Sequence, residues 1–506
     1  LFPYTTLFRS DLKRYREALL KVGSEGVEPL RQVKEMLERK LRQVMVRTER
    51  VGTTADHGGM VKEAQRLDAH LTGNDLKSFA LLDKVAQSLS AGDVVEYWKS
   101  APYILNVMDR RGYKVKRTLA EECSHRSPDL AKNLASARQH LLTWEDIRSY
   151  ANLDPANAKL RILLRNKVAS GGWRLLWVPP SLPYYRPRSG PYARPRLSRF
   201  TKALVFSCWQ VVPKAIAMAA SHAAERQMVR RLDKEVDYAE LRRQHRPLLR
   251  FTFADERATG MSAFSLLYPC LTLAREIDPM AIAAELTNGE AQPSLDEVRS
   301  AVRKKIDGLL EPAVHDHTGV GGNPDEQWYH AAMAIMDRRY GRPYDQWHAS
   351  RDEGVAWRGM VASRGDDDGD FAGHVEIFTK YYRGDRPLGA IPDDLADVLT
   401  DVALASPAIV ALRSLLRFEP EDLPDDEVVA LLAAAARIAL GFRTLFNLPE
   451  SITLIRSLHS RRDVPFWLSV LKYSADGNLQ SVMDEYVHIL RESLGLMNAT
   501  TADFSR

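Results

Sequence analysis

The chain has 506 residues, 45% of them hydrophobic, and a formal net charge of +5 at pH 7. That is enough length for about two to four domains with apolar cores, and too mild a charge to demand nucleic acid or anionic lipid by itself. Cys123, Cys208 and Cys270 stand far apart without a CxxC pair, which excludes a disulfide framework or zinc ribbon and points to reduced thiols in the cytoplasm.

The opening decapeptide, LFPYTTLFRS, back-translates into a sequencing-adaptor oligonucleotide read in frame, so residues 1–10 are expected to be a library scar without fold information. From Asp11 onward helical periodicity dominates. In GVEPLRQVKEMLERKLRQVM, Val27, Leu30, Val33, Leu37, Leu41 and Val44 put one apolar face opposite a basic one. Further helices are expected at Asp75–Leu89, Val94–Met108, Pro128–Leu142 and Pro155–Ala169. Val212–Leu232, Met261–Ile277, Leu295–Leu310 and Asp325–Tyr340 follow. The C-terminal third reads as almost all helix: Phe371–Tyr382, Asp393–Ala405, Ala408–Phe418, Asp425–Phe446 and Leu479–Leu494. Its most apolar window, Val428–Phe442, is short for a bilayer and carries Arg437, so no membrane partner is expected. Strand patterns are few: WRLLWVPP (Trp173–Pro180), KALVFSCW (Lys202–Trp209) and LLRFTFAD (Leu248–Asp255). A strand running directly into a helix is the half-unit of a parallel α/β sheet.

Several side-chain groupings invite chemistry. Gly319–Pro324 (GVGGNP) lacks the Lys-Ser/Thr that completes a phosphate-binding loop, and reads as a connector. Asp255-Glu256 ends a strand pattern like an acidic pair beside Mg²⁺, but no phosphate loop precedes it. His315, His317 and His330 offer imidazoles without a recognised metal spacing, so no metal is expected; a hydrolase reading would require them to converge. Asp366–Asp370 (DDDGD) fails the register of a calcium loop. The richest segment is the Pro-rich loop 181–199, where Arg186, Arg188, Arg194, Arg196 and Arg199 alternate with Tyr184, Tyr185 and Tyr192. Guanidinium groups neutralise phosphates and tyrosines stack on bases, and an extended Pro-rich chain keeps both available.

Two strings carry a family resemblance. LERKLRQVMVRTER (Leu37–Arg50) and TKALVFSCWQVVPKAIA (Thr201–Ala217) resemble, in this order, two landmarks of Swi/Snf-type superfamily two helicases and DNA translocases. There, the first closes one RecA-like lobe and the second opens the next. More narrowly, Asp93–Met108, GGWRLLWVPPSLPYY, ARIALGFRTLFNLPE and DGNLQSVMDEYVHILRESLGL look like large bacterial DEAD/DEAH-box helicase-related proteins. Arg47, Thr48 and Arg50 match the first phrase; Lys202, Ser207 and Trp209 match the second.

The resemblance implies a mainly α fold with a small α/β part, an incomplete second RecA-like lobe bearing a large helical insertion. Its expected segments are 11–50 (end of the first lobe), 51–154 (helical interlobe region), 155–260 (start of the second lobe) and 261–506 (insertion). It further implies an ATP-dependent parent enzyme using ATP and Mg and acting on DNA, duplex in the family's pattern, with protein partners for the insertion. The groups that grip a nucleotide would lie before Asp11 and after Arg506, so this portion alone is expected to need no cofactor and to be inactive. The competing expectation is a self-standing α-helical interaction scaffold.

Overall fold

In the computed structural model, residues 13–42, 69–92, 94–230, 237–238, 246–254, 257–287, 292–315, 321–350, 357, 370–417, 419–420, 422–458 and 464–493 are described. The first long helix, α1 (Glu28–Arg42), follows the apolar repeat read above. α2 (Gly73–Ser88) starts on a reciprocal cap: the Asp75 backbone N–H donates to the Thr72 hydroxyl, and the Asp75 carboxylate accepts from the Thr72 N–H. The helix expected over Val94–Met108 is split into α3 (Val95–Ser100) and α4 (Ile104–Val107), because Pro102 lacks a donor and Tyr103 adopts φ +56°. α5 (Lys114–Ser124) and α6 (Pro128–Ser136) follow, the latter capped by Ser127 with proline in its first turn. α7 (Ala158–Leu164) runs into a π turn at Arg165–Ala169, and α8 (Val211–Val229) closes this half.

Beyond it, β1 (Thr252–Ala254) and β2 (Arg257–Thr259) form an antiparallel hairpin with Phe253 opposite Ala258. The stretch expected as one helix over Met261–Ile277 breaks at Pro269, leaving a short turn Phe264–Leu267 and α9 (Leu271–Glu276). Then come α10 (Pro279–Leu286), α11 (Leu295–Val314), α12 (Trp328–Asp337), α13 (Arg342–Ala349) and α14 (Phe371–Arg383). α15 (Leu395–Ala405), α16 (Pro407–Leu416), α17 (Asp425–Phe446), α18 (Pro449–Leu458), α19 (Phe466–Asp476) and α20 (Leu479–Ser493) complete the order.

The protein is mainly α, and the middle of its large core is the pair α15–α16, in which nearly every residue is buried. α16 packs on α17 and α20, α15 on α11 and α19, and α12 on α14. Two smaller apolar clusters sit among α2 to α8: Val85, Leu89, Leu105, Leu119 and Leu130 form one, and Ile104, Met108, Val211, Val212 and Ala215 belong to the other.

Two buried ionisable groups tie this core to helix ends. Asp337 accepts from the N–H groups of Leu271 (3.1 Å) and Thr272 (2.9 Å) and from the Thr272 hydroxyl (2.6 Å), capping the start of α9. Burial pushes its carboxyl upward, and the bonds from Thr272 oppose that. Arg413, wholly enclosed, donates to the carbonyls of Leu273 (3.1 Å), Ala274 (3.3 Å) and Ala403 (2.9 Å) and to Gln480 (2.5 Å). Its charge thus lies where the carbonyl ends of α9 and α15 converge, although burial lowers its pKa to about 10.

Three expectations need correction. Trp173–Pro180 and Lys202–Trp209 contain no strand, and the sheet among the described residues is the short hairpin alone. For the first, side chains occupy the backbone groups a ladder would use: the N–H groups of Leu176 and Trp177 donate to the hydroxyls of Tyr473 (2.8 Å) and Tyr192 (3.4 Å), and those hydroxyls donate to the carbonyls of Arg174 (3.0 Å) and Trp177 (3.1 Å). The second segment forms no regular element, and among the described residues it has no neighbouring strand to pair with. Nor does a boundary fall at residue 260, since Trp173, Tyr185 and Tyr192 share one apolar cluster with α11 to α19. Finally, the window read as short for a bilayer lies in α17, which at 22 residues has the length and composition to cross one, as does the bent pair α15–α16. The apolar residues of α17 instead face α16 and α13.

Candidate nucleic-acid interface

The Pro-rich loop is anchored by its tyrosines and by backbone groups, against the turn between α19 and α20. Tyr185, 1% exposed, donates from its hydroxyl to the Ala475 carbonyl (2.9 Å), and Tyr184 donates to Asp484 (2.7 Å). Burial raises both phenols, aided by Asp484 beside Tyr184 and by the charge of Asp476 near Tyr185, so neither ionises near neutral pH. Asn478, held at φ +49°, accepts from the N–H groups of Tyr184 (3.1 Å) and Tyr185 (3.4 Å) and donates back to the Tyr185 carbonyl (3.1 Å). Asp476 accepts from the N–H groups of Arg188 (3.1 Å) and Ser189 (3.2 Å) and from the Ser189 hydroxyl (2.9 Å). Arg186 exchanges backbone bonds with Pro293 and Leu295, forming a one-residue parallel bridge at the start of α11.

This anchoring sorts the loop by side-chain type. Tyr184, Tyr185 and Tyr192 point inward, which corrects the expectation that the tyrosines offer faces to bases. Arg186, Arg188, Arg194, Arg196 and Arg199 are exposed. Arg188 reaches Asp296 at 3.4 Å, a solvent-facing pair that leaves its charge largely available. The result is a row of guanidinium groups on a braced backbone, suited to phosphate neutralisation but without stacking rings.

Lys202 lies beside α20, with Nζ 5.3 Å from the centre of the Tyr486 ring. Ser207 Oγ accepts from the Trp209 N–H (3.1 Å), and Trp209 packs on Tyr97 (4.8 Å) and Tyr113 (6.5 Å) at the start of α8. Between them the chain is bare: Leu204 is 79% exposed and Phe206 88%. Arg47, Thr48 and Arg50 lie outside the described residues, as do Asp255, Glu256 and His317.

The remaining groupings lie only partly among the described residues. His330 is buried against Phe378 and Tyr381, its two ring nitrogens unbonded among the described residues, while His315 is exposed at the end of α11. Among the described residues no three His, Cys, Asp or Glu side chains converge as metal ligands. Of the Gly-rich connector, Gly321–Pro324 are described, and Pro324 bridges to Ala390. Asp370, the described end of the acidic run, accepts through its carbonyl from His374.

Sequence reading missed the anchors Asp476, Asn478 and Asp484. The Asp476-Gly477-Asn478 turn signal was present, but nothing local pairs it with a loop some 290 residues earlier in the chain. No family model, curated protein or solved structure matches the chain.

Proposed function

We propose that this chain is the interlobe and early second-lobe portion of an ATP-dependent DNA translocase, with the exposed arginine row contacting duplex phosphates. The carrying observation is the bare apolar segment Lys202–Ser207. Exposing Leu204, Val205 and Phe206 costs roughly 1.5–3 kcal/mol each relative to burial, which a finished fold avoids. An exposed apolar segment leading into α8 has the sequence form of a parallel strand whose sheet neighbours are supplied from elsewhere. The resemblance of Thr201–Ala217 to the opening of a second RecA-like lobe gives those neighbours an identity. ATP and Mg belong, on this reading, to the parent enzyme and not to these residues.

The test is duplex binding followed by fluorescence anisotropy, together with ATP turnover. The expected result is affinity that falls steeply with salt, without hydrolysis. Absence of duplex binding at low salt, or turnover by this chain unaided, defeats the reading.

A second reading, a helical interaction scaffold, is favoured by the continuity of the large core from Trp173 to α19. It expects the same core stability but no dependence of any ligand on the arginine row.

A further inference from the structure

Between α7 with its π turn and the C-terminal half of α8 lies a cleft of about 300 Å³, open to solvent on one side. Its walls are mixed. Tyr103, Val168 and Ala219 offer apolar surface, and Arg165, His222 and Arg226 bring polar atoms to the same space. The π turn itself, Arg165–Ala169, is a costly local widening of the helix that recurs at binding sites.

Part of this polar capacity is left unused by the protein. His222 is only 7% exposed, yet its Nε2 has no hydrogen-bond partner among the described residues. Burial lowers the pKa of the ring and favours its neutral form, which leaves Nε2 enclosed beside the cleft with no partner among the described residues. Arg226 is half-buried; its Nε donates to the Tyr150 carbonyl (3.0 Å), and no carboxylate pairs with it among the described residues. Its charge is opposed by burial and by Arg230, the reverse of a neutralised guanidinium. Arg165, at the exposed rim, also has no acidic partner among the described residues. The contrast is Arg161 on the same wall, which is consumed by a two-pronged pair with Asp75 (2.6 and 2.7 Å).

We propose that this cleft binds a nucleoside monophosphate, with phosphate on Arg226 and Arg165, a hydroxyl or amino group on His222 Nε2, and the ring against Tyr103, Val168 and Ala219. One half-buried and one exposed guanidinium group suit a phosphate that keeps part of its hydration. Inorganic phosphate alone would leave the apolar wall and Nε2 unused, and a cleft of this size lies at the lower end of those that hold small organic ligands. The same chemistry arrives in two ways: as the free nucleotide, or as the phosphorylated end of a strand. The inference rests on the cleft and not on the translocase reading.

Isothermal titration of the full chain with adenosine 5′-monophosphate is expected to give a Kd below about 1 mM, with adenosine binding at least about ten-fold more weakly. Arg226→Met and His222→Phe are each expected to weaken binding about ten-fold, and Arg226→Lys to retain most of it. Should either variant lose its cooperative melting transition, Arg165→Met at the solvent-exposed rim serves instead. Competition by a short 5′-phosphorylated oligothymidylate assigns the site to strand ends, and failure to compete assigns it to the free nucleotide. Replacing Arg186, Arg188, Arg194 and Arg196 together by Ala is expected to leave this binding unchanged. Duplex binding can therefore fail while the cleft is upheld. No heat at millimolar nucleotide, or binding indifferent to Arg226, His222 and Arg165 alike, overturns the proposal.

Discussion

The indole Nε1 of Trp177 donates to the carbonyl of Gly477 at 2.9 Å, joining positions 300 residues apart. The glycine is required by closeness and not by backbone conformation. A Cβ at 477 would stand 2.6 Å from Cζ2 of the Trp177 ring, nearer than carbon atoms approach. Because Asp476 and Asn478 hold the arginine loop from either side of Gly477, this one approach sets the height of the whole turn beneath the basic row.

Gly477→Ala is therefore expected to destabilise the protein by about 1–3 kcal/mol through overpacking. Trp177→Phe, which keeps the aromatic packing and removes the hydrogen bond, should cost nearer 1 kcal/mol. Urea unfolding followed by tryptophan-independent circular dichroism separates the two. A neutral Gly477→Ala would mean that the turn moves freely and does not brace the loop.

The arginines and tyrosines of the loop are expected to separate by phenotype. Tyr184→Phe and Tyr185→Phe each remove a hydroxyl bond to Asp484 or Ala475, costing about 1 kcal/mol of stability with duplex affinity unchanged. Replacing Arg186, Arg188, Arg194 and Arg196 by Ala should leave stability within about 0.5 kcal/mol, since these side chains are exposed. It should also flatten the logarithmic salt dependence of duplex binding by about 0.9 for every phosphate that is no longer neutralised. Anisotropy titrations at several salt concentrations read both.

His330 is expected to make stability sensitive to mild acid. Complete burial lowers its pKa from 6.5 to about 3; Asp325 acts in the opposite direction and Arg386 reinforces the fall. Between those values the unfolded chain binds a proton that the folded chain refuses. The stability is thus full above pH 6.5 and is lost as pH falls, by up to about 1.4 kcal/mol per unit from this group. His330→Leu, which needs no hydrogen bonds, should flatten the curve in that window and raise the melting temperature. Melting curves from pH 7 to 4 decide it, and an unchanged slope in the variant assigns the acid sensitivity elsewhere.

Asp75 acts at lower pH. Its carboxylate, side chain 1% exposed, pairs with Arg161, and that hydrogen bond together with those from Thr72 lowers its pKa below 3.8. Its stabilisation is present above pH 3.8 and fades as pH falls through the depressed value. Asp75→Asn is expected to cost about 2 kcal/mol at neutral pH, because it weakens both the cap of α2 and the tie to α7. The loss should vanish in acid, where the wild-type carboxyl is itself protonated. A pH-independent deficit would make the residue's role one of shape alone.

How much of this was legible beforehand depends on the range of the interaction concerned. Thr72, Ser127 and Ser294 are caps whose partners lie within three residues, so the starts of α2, α6 and α11 can be read from the chain itself. Periodicity likewise marks α17 and α20 closely, because one helix face repeats every three to four residues. α13, α18 and α19 escaped notice: α13 and α18 have polar faces (Arg342, Asp345 and Gln346 in α13) but span only 8 and 10 residues, too few for the period to repeat clearly, while α19 is buried on nearly every side. Pro102 and Pro269 announced breaks that the apolar pattern ran across.

What tertiary structure decided is the direction of each side chain whose partner is distant. Arginine and tyrosine alternate along 184–199, and composition alone treats both as available to a nucleic acid. Asp476, Asn478 and Asp484 draw the tyrosines and backbone inward and leave the guanidinium groups in water, where a charge costs least to keep. The two apolar runs at 173–180 and 202–209 diverge for the same reason. Trp177 finds an aromatic pocket on α17 and α19, whereas Leu204 and Phe206 find no cover among the described residues. Apolar pattern states what a segment prefers to bury; only the assembled chain determines whether there is anything to bury it against.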